Sequence, residues 1–234
     1  MSLQRDRGSA VAGRLTVQGL HFRHAAAGPE LLAGVSFELA PGELVALVGP
    51  AGSGKTSLLK LMLGQLQPDA GALRLDGMTP AERGSRRWGR AVRAVMHDEA
   101  AYAGSIADSI GFLAPRPDRR RIVECARCAL VHAEIEALPA GYATEMAEVD
   151  GAAWSGLLPR ILLARALYAR PQVLLWDEAT GALRADEARL LWQALERLPQ
   201  TRLVVTHRPE WIARADRVIA LGEGRILRDL RRAG

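Results

Sequence analysis

The residues GPAGSGKT at 49–56 carry the pattern G-x-x-x-x-G-K-S/T between an apolar, strand-like run and a helix-periodic one. Gly49, Gly52 and Gly54 free the backbone to turn successive N–H groups inward, which is what a string of phosphate oxygens requires. Pro50, Ala51 and Ser53 complete the loop. The helix opened by Lys55, Thr56 and Ser57 turns its positive end toward the same anion. Lys55 has the reach for β- and γ-phosphates, and the Thr56 hydroxyl is a ligand of the kind Mg²⁺ takes. A chance glycine-rich turn is the competing reading, and the strand–loop–helix context argues against it.

Two later runs complete the chemistry. VLLWDEAT, 173–180, buries a strand and ends it in two acids. Asp177 is placed to hold Mg²⁺ through water, and Glu178 to take a proton from an attacking water. The bland reading of such a pair is a helix cap. RLVVTH, 202–207, is a third apolar strand, bringing His207 to the same edge for contact with a γ-phosphate. A lone histidine is otherwise usually structural.

These residues need a scaffold, and the chain supplies one. At 234 residues it can bury one sizeable core, with or without an insertion. RLTVQGLHF, GVSFEL and ELVALVG read as strands separated by Gly- and Pro-bearing turns, and TSLLKLMLGQL reads as helix. From about Asp98 to Arg170 the periodicity is helical, in SIADSI, RRRIVECARCALVHAEIEAL and PRILLARALYA. ADEARLLWQALERL, PEWIARA and the hairpin RVIALGEGRILRDL close the chain. Met1 to Gly13 is polar and reads as a tail or linker.

Composition narrows the partners. No apolar run approaches the ~18 residues that cross a bilayer. The net charge of +5 rests on arginine, because Lys55 and Lys60 are the only lysines. The arginines are scattered, which suits a solvated or partner-facing surface and not a nucleic-acid stripe. Cys125 and Cys128 form a lone C-x-x-C in a helix-periodic run. Without a second ligand pair or a redox context they read as small buried residues.

The order of phosphate loop, helical insertion, strand-DEAT and strand-His resembles the ATP-binding cassette family from about Arg14 to Leu230. That resemblance implies an α/β fold: a P-loop NTPase core with an antiparallel β subdomain and an inserted α-helical subdomain. The cassette would span 14–234, with the helical part at about 98–168. It implies ATP and Mg²⁺ as ligands and a transport-coupled ATPase activity. Lys55, Glu178, His207 and His97 are the expected catalytic set, and Thr56, Asp177 and His97 the expected metal ligands. Gly49 to Ser57 would hold the nucleotide, with His24 stacked on adenine where a Tyr is usual; Phe22 reads as a core strand residue instead. The expected partners are a transmembrane domain and a second cassette, closing head to tail. The expected location is the cytoplasmic face of a bacterial inner membrane, the chain itself being soluble. TEMAEVD (144–150) and AGSIADSI (103–110) are similar to segments of peptide, bacteriocin and toxin exporters.

Three positions depart from the family pattern. The signature LSGGQ falls on Ala153-Trp154-Ser155-Gly156-Leu157, so Trp154 replaces the serine expected to meet the partner's γ-phosphate. His97 stands where a Gln is expected to touch Mg²⁺ and the attacking water. Arg184 stands where an Asp is expected, and the reversed charge favours a partner that offers an acid. The chain's own nucleotide face is intact and the face offered to a partner is altered. One half of an asymmetric pair is therefore expected, with an ATP-holding regulatory cassette as the alternative.

Overall fold

The computed structural model describes residues 13–25, 27–96, 104–112, 114, 116–148, 151–177 and 183–232, with the backbone alone for 151–155. The opening strands are β1 (Leu15–Phe22), β2 (Leu32–Leu39) and β3 (Leu44–Val48). Helix α1 (Lys55–Met62) follows, then β4 (Ala70–Leu75). β1 pairs antiparallel with β2 on one side and β4 on the other. Its buried residues switch parity, from Leu15 and Val17 to Leu20 and Phe22. A bulge at Gly19, with φ +56°, absorbs the extra residue and keeps both halves facing the core. Across from it a Cβ on Gly71 would lie 2.2 Å from the Gly19 carbonyl oxygen, so only glycine fits there.

Next come two short helices, α2 (Pro80–Arg83) and α3 (Ser85–Ala91), and strand β5 (Val92–Val95). The helical block contains α4 (Ile106–Gly111), α5 (Arg119–Cys128), α6 (His132–Glu136) and α7 (Gly151–Tyr168). The chain ends with β6 (Val173–Asp177), α8 (Ala185–Arg197), β7 (Thr201–Val205), α9 (Pro209–Ile212), β8 (Arg217–Gly222) and β9 (Arg225–Arg231). The second sheet runs β5-β6-β7-β3-β8-β9. It is parallel through β8, and β9 closes it as an antiparallel hairpin partner. Parallel strands are covered on both faces, hence their unbroken apolar runs. Ala46, Leu174, Trp176 and Val204 face the core beneath α4–α8. Val45, Leu47, Val173, Leu175, Leu203 and Val205 face the core shared with α1 and the antiparallel sheet.

Several boundaries differ from the sequence-based expectation, each for a local reason. Helix α1 stops before Leu63-Gly64-Gln65 because Gly64 turns left-handed at φ +73°, and the N–H groups of Gly64 and Gln65 reach back to the Leu61 and Lys60 carbonyls. The single helix expected over 119–138 is two. Leu130 takes φ +54° between α5 and α6, and its carbonyl accepts Arg160 Nη1 at 2.6 Å. That guanidinium is 4% exposed and also pairs with Glu134 at 2.8 Å, so a long-range contact decides a local break. Gly13 was grouped with the tail, yet it is buried and its carbonyl accepts the Thr201 hydroxyl at 2.6 Å. Strand β5 and helices α2 and α3 were not anticipated, although Thr79-Pro80-x-Glu82 is a capping-box sequence and forms one.

Burial pushes the Cys125 thiol up to about 12 and also raises that of Cys128, so neither is a ready nucleophile. Among the described residues no helix is long and apolar enough to cross a membrane.

Arg202 ties the sheet to α8. It is 5% exposed, and its guanidinium donates to the carbonyls of Leu195 (2.8 Å), Glu196 (3.1 Å) and Gly42. Two of those acceptors are among the last carbonyls of α8, of which Leu195 also accepts Leu198 N–H at 3.3 Å. Arg202→Ala is expected to lower unfolding free energy by about 2–4 kcal/mol in urea titration, since it strands buried acceptors. Arg231→Ala is expected to change it by no more than about 0.5 kcal/mol, since Arg231 is exposed and its buried partner Glu43 keeps Arg217.

Candidate functional site

β3 lies at the middle of the six-stranded sheet, and the phosphate loop leaves its C-terminal end. Gly49 begins the loop where a Cβ would sit 2.1 Å from the Leu221 carbonyl of the neighbouring strand. Gly52 and Gly54 take φ +77° and +94°, which turns the backbone back on itself before α1 begins. Ser53 N–H bonds the Pro50 carbonyl at 3.3 Å and closes the loop. Pro50, Ala51 and Gly52 lie at the surface while Ser53 and Gly54 are buried beneath them. The Lys55 ammonium folds over the loop, donating to the carbonyls of Gly49 (2.9 Å) and Pro50 (2.8 Å).

Thr56 and Asp177 are 121 residues apart in sequence, and the Thr56 hydroxyl donates to Asp177 Oδ2 at 2.9 Å. Asp177 is the last residue of β6 and 3% exposed; Thr56 sits in the first turn of α1. A hydroxyl and a carboxylate at this spacing are hard oxygen donors of the kind Mg²⁺ takes, so the residues present fit that ion.

His24 lies just past β1 and is exposed, with Nε2 3.2 Å from the Ser57 hydroxyl of α1. Its ring meets Phe22 edge-on, at 5.0 Å between centroids and 83° between planes. Phe22 itself is a buried core residue. His24 is thus tied to the helix that carries the phosphate loop.

His207 is exposed and lies beyond β7, whose last residue is Val205. The intervening Thr206 holds the corner. Its N–H reaches the Leu47 carbonyl of β3 at 3.2 Å, and its hydroxyl accepts Arg208 N–H at 3.1 Å. Arg208 Nη2 in turn donates to the Leu183 carbonyl at 3.1 Å, joining the segment after β7 to the entry of α8. Glu178 and His97 lie outside the described residues.

The segment matched to the family signature is not a loop. Ala153 to Leu157 lies inside α7, which begins at Gly151 and carries Pro159 in its interior. Gly156 has a structural use of its own. A Cβ there would stand 2.4 Å from Glu187 Oε1, so the glycine lets α8 approach α7. Glu187 is buried and accepts the Arg184 N–H at 2.9 Å. Sequence reasoning did not pick out Glu187; its position three residues after Arg184, at the start of a helix, was the available signal. Arg184 does not wait for an acid from outside. Its guanidinium pairs within the chain with Glu187 at 3.3 Å and Asp186 at 3.7 Å.

Comparison with known proteins agrees with this arrangement. The ABC transporter family model matches residues 32–181. The chain is 34% identical over 207 residues to the colicin V secretion/processing ATP-binding protein CvaB of Escherichia coli, covering 88% of this chain and 30% of that protein. It is 36% identical over 219 residues to the ATP-dependent lipid A-core flippase of Chromobacterium violaceum, covering 93% and 38%. Among solved structures, a bacterial Atm1-family ABC exporter with ATP bound superposes with a TM-score of 0.83 at 28% identity, over 93% of this chain and 38% of that one. The chain therefore spans only about a third of the length of these relatives.

The contact between α7 and α8 yields a test. Gly156→Ala must displace the Glu187 carboxylate from two contacts to Arg184, and is expected to cost about 1–3 kcal/mol of stability. In a Glu187→Ala background the same substitution is expected to cost at least about 1 kcal/mol less. A double-mutant cycle in urea measures the difference, and additive losses would mean that the two residues do not share a contact.

Proposed function

The chain belongs to the ABC transporter family, and on that premise we propose that it is the nucleotide-binding domain of an exporter, binding and hydrolysing ATP to drive transport. The observation that carries this reading is the Thr56–Asp177 hydrogen bond, which joins the phosphate loop to the acid ending β6. In this reading Gly49–Ser57 cradles the phosphates. Lys55 exchanges its two loop carbonyls for β- and γ-phosphate oxygens. Thr56 and Asp177 would hold Mg²⁺, which would supply neutralisation of phosphate charge when bound. Glu178 draws the proton from the attacking water, His207 contacts the γ-phosphate from the end of the neighbouring strand, and His97 borders water and metal. His24 offers its open face to adenine.

The partners and organisation follow from the same reading. Residues 14–234 form the cassette, with the helical part at about 98–168 as the inserted subdomain. A transmembrane domain supplies the pathway, which places the cassette at the cytoplasmic face of a bacterial inner membrane. A second cassette closes on it. We read the pair as asymmetric, because Trp154 replaces the signature serine. A partner with an intact signature would make one competent site with this chain's Glu178, and leave the other impaired.

Steady-state turnover checks the proposal, with Glu178→Gln as the blank. The chain alone is expected to bind ATP and turn it over no faster than the blank. Turnover is expected to appear when a cassette with an intact LSGGQ is added. Turnover by the chain alone that climbs steeply with its concentration would show that a homodimer suffices and sink the asymmetric pairing. Asp177→Asn is expected to weaken the Mg²⁺ dependence of ATP binding by about 10- to 100-fold, read by titrating Mg²⁺ at fixed nucleotide.

A further inference from the structure

His207 is exposed, so the core does not enclose it, and the backbone on either side decides where its ring can reach. On one side Thr206 N–H bonds the Leu47 carbonyl at 3.2 Å, near the end of the strand from which the phosphate loop departs. The other side rests on Arg208. Its N–H donates to the Thr206 hydroxyl at 3.1 Å, which folds the chain tightly around His207. Its carbonyl accepts the Trp211 and Ile212 N–H groups, both at 3.1 Å, and so opens α9. Its guanidinium then crosses to another element, where Nη2 donates to the Leu183 carbonyl at 3.1 Å.

That long-range bond is braced. The Arg208 guanidinium lies 6.0 Å from the centre of the Trp211 ring, and Trp211 packs on Trp192 of α8 at 5.0 Å between centroids. Leu183 is itself buried, immediately before the N-cap of α8. The acceptor is therefore a fixed point, and a planar guanidinium held over a ring loses little further freedom in bonding it. The exposed pair with Glu210, at 3.5 Å, contributes little beside this.

We propose, on the reading that His207 contacts the γ-phosphate, that Arg208 is a positioning residue for that contact. By holding the backbone after β7 against the entry of α8, it sets the reach of the His207 ring. Small misplacements of a supporting group weaken the contact it supports before they weaken the fold. Loss of the Arg208 bond would therefore cost the γ-phosphate contact while the phosphate loop keeps the rest of the nucleotide. Arg208 needs no contact of its own with ATP.

Isothermal titration calorimetry of ATP and of ADP tests this on the whole chain, with Mg²⁺ supplied and Glu178→Gln in every variant so that bound ATP persists. Arg208→Met keeps an aliphatic stem over Trp211 and removes the donors. It is expected to lower the affinity for ATP by about threefold or more and to leave that for ADP within about twofold of the parent. Arg208→Lys, with one donor still able to reach Leu183, is expected to recover part of the loss. His207→Ala is expected to show the same pattern, and the double variant Arg208→Met with His207→Ala to lose no more than His207→Ala alone. Equal losses for ATP and ADP would overturn the proposal and leave Arg208 a purely structural role, and so would losses at the two positions that add. An effect at His207 with none at Arg208 would overturn the proposal alone. If His207→Ala leaves both affinities unchanged, the γ-phosphate contact itself fails and the proposal falls with it.

Discussion

The structure turns on one hydrogen bond, from the Thr56 hydroxyl to the Asp177 carboxylate. It requires that two strands end at the same level although their last members, Val48 and Asp177, stand 129 positions apart in the chain. The parallel ladder supplies that level. Leu47 is in register with Val205, and Val205 with Asp177, so the ends of β3, β7 and β6 are aligned through β7. Thr206 then bonds back to Leu47, which fixes the start of the segment bearing His207. A slip of one residue in any of these pairings would turn the apolar residues of a strand to the wrong core, so packing on both faces sets the geometry of the site.

Arginine does much of the remaining joinery. A guanidinium carries several donors in a rigid plane and can satisfy carbonyls on two elements at once. Arg160 links α7 to the Leu130 break, Arg202 links β7 to the end of α8, and Arg121 donates to the last carbonyls of α7 through Leu167 and Tyr168. Arg217 joins β8 to β9 and to the Glu38 carbonyl of β2, and its salt bridge holds the Asp229 carboxyl below its usual range. A surplus of positive charge in the composition is therefore a poor guide to a binding surface.

The core strands and the phosphate loop were legible in the sequence because local rules agree there with the fold. Glycine spacing, apolar runs and a strand-to-helix transition all place Lys55 and Thr56 where they stand. The breaks were not legible. Leu130 adopts a left-handed conformation in a run with helical periodicity, stabilised by Arg160 from a distant element. β5 is a four-residue edge strand whose pairing with β6 is set by the sheet and not by its own pattern. Gly13 looks like the end of a polar tail, and only its bond to Thr201 makes it part of the core. In each case a contact across the fold overrode a local preference.

The altered face shows the same limit in a single substitution. Read alone, Arg184 is a reversed charge that calls for an acid on a partner. In the fold it comes with Glu187, whose carboxylate accepts the Arg184 N–H and pairs with the guanidinium. Glu187 also makes Gly156 necessary for a reason unrelated to any nucleotide, since a side chain there would collide with it. A surviving signature glycine is then weak evidence that the segment around it still serves ATP. The packing of Gly156 under Glu187 is a contact that holds α7 against α8.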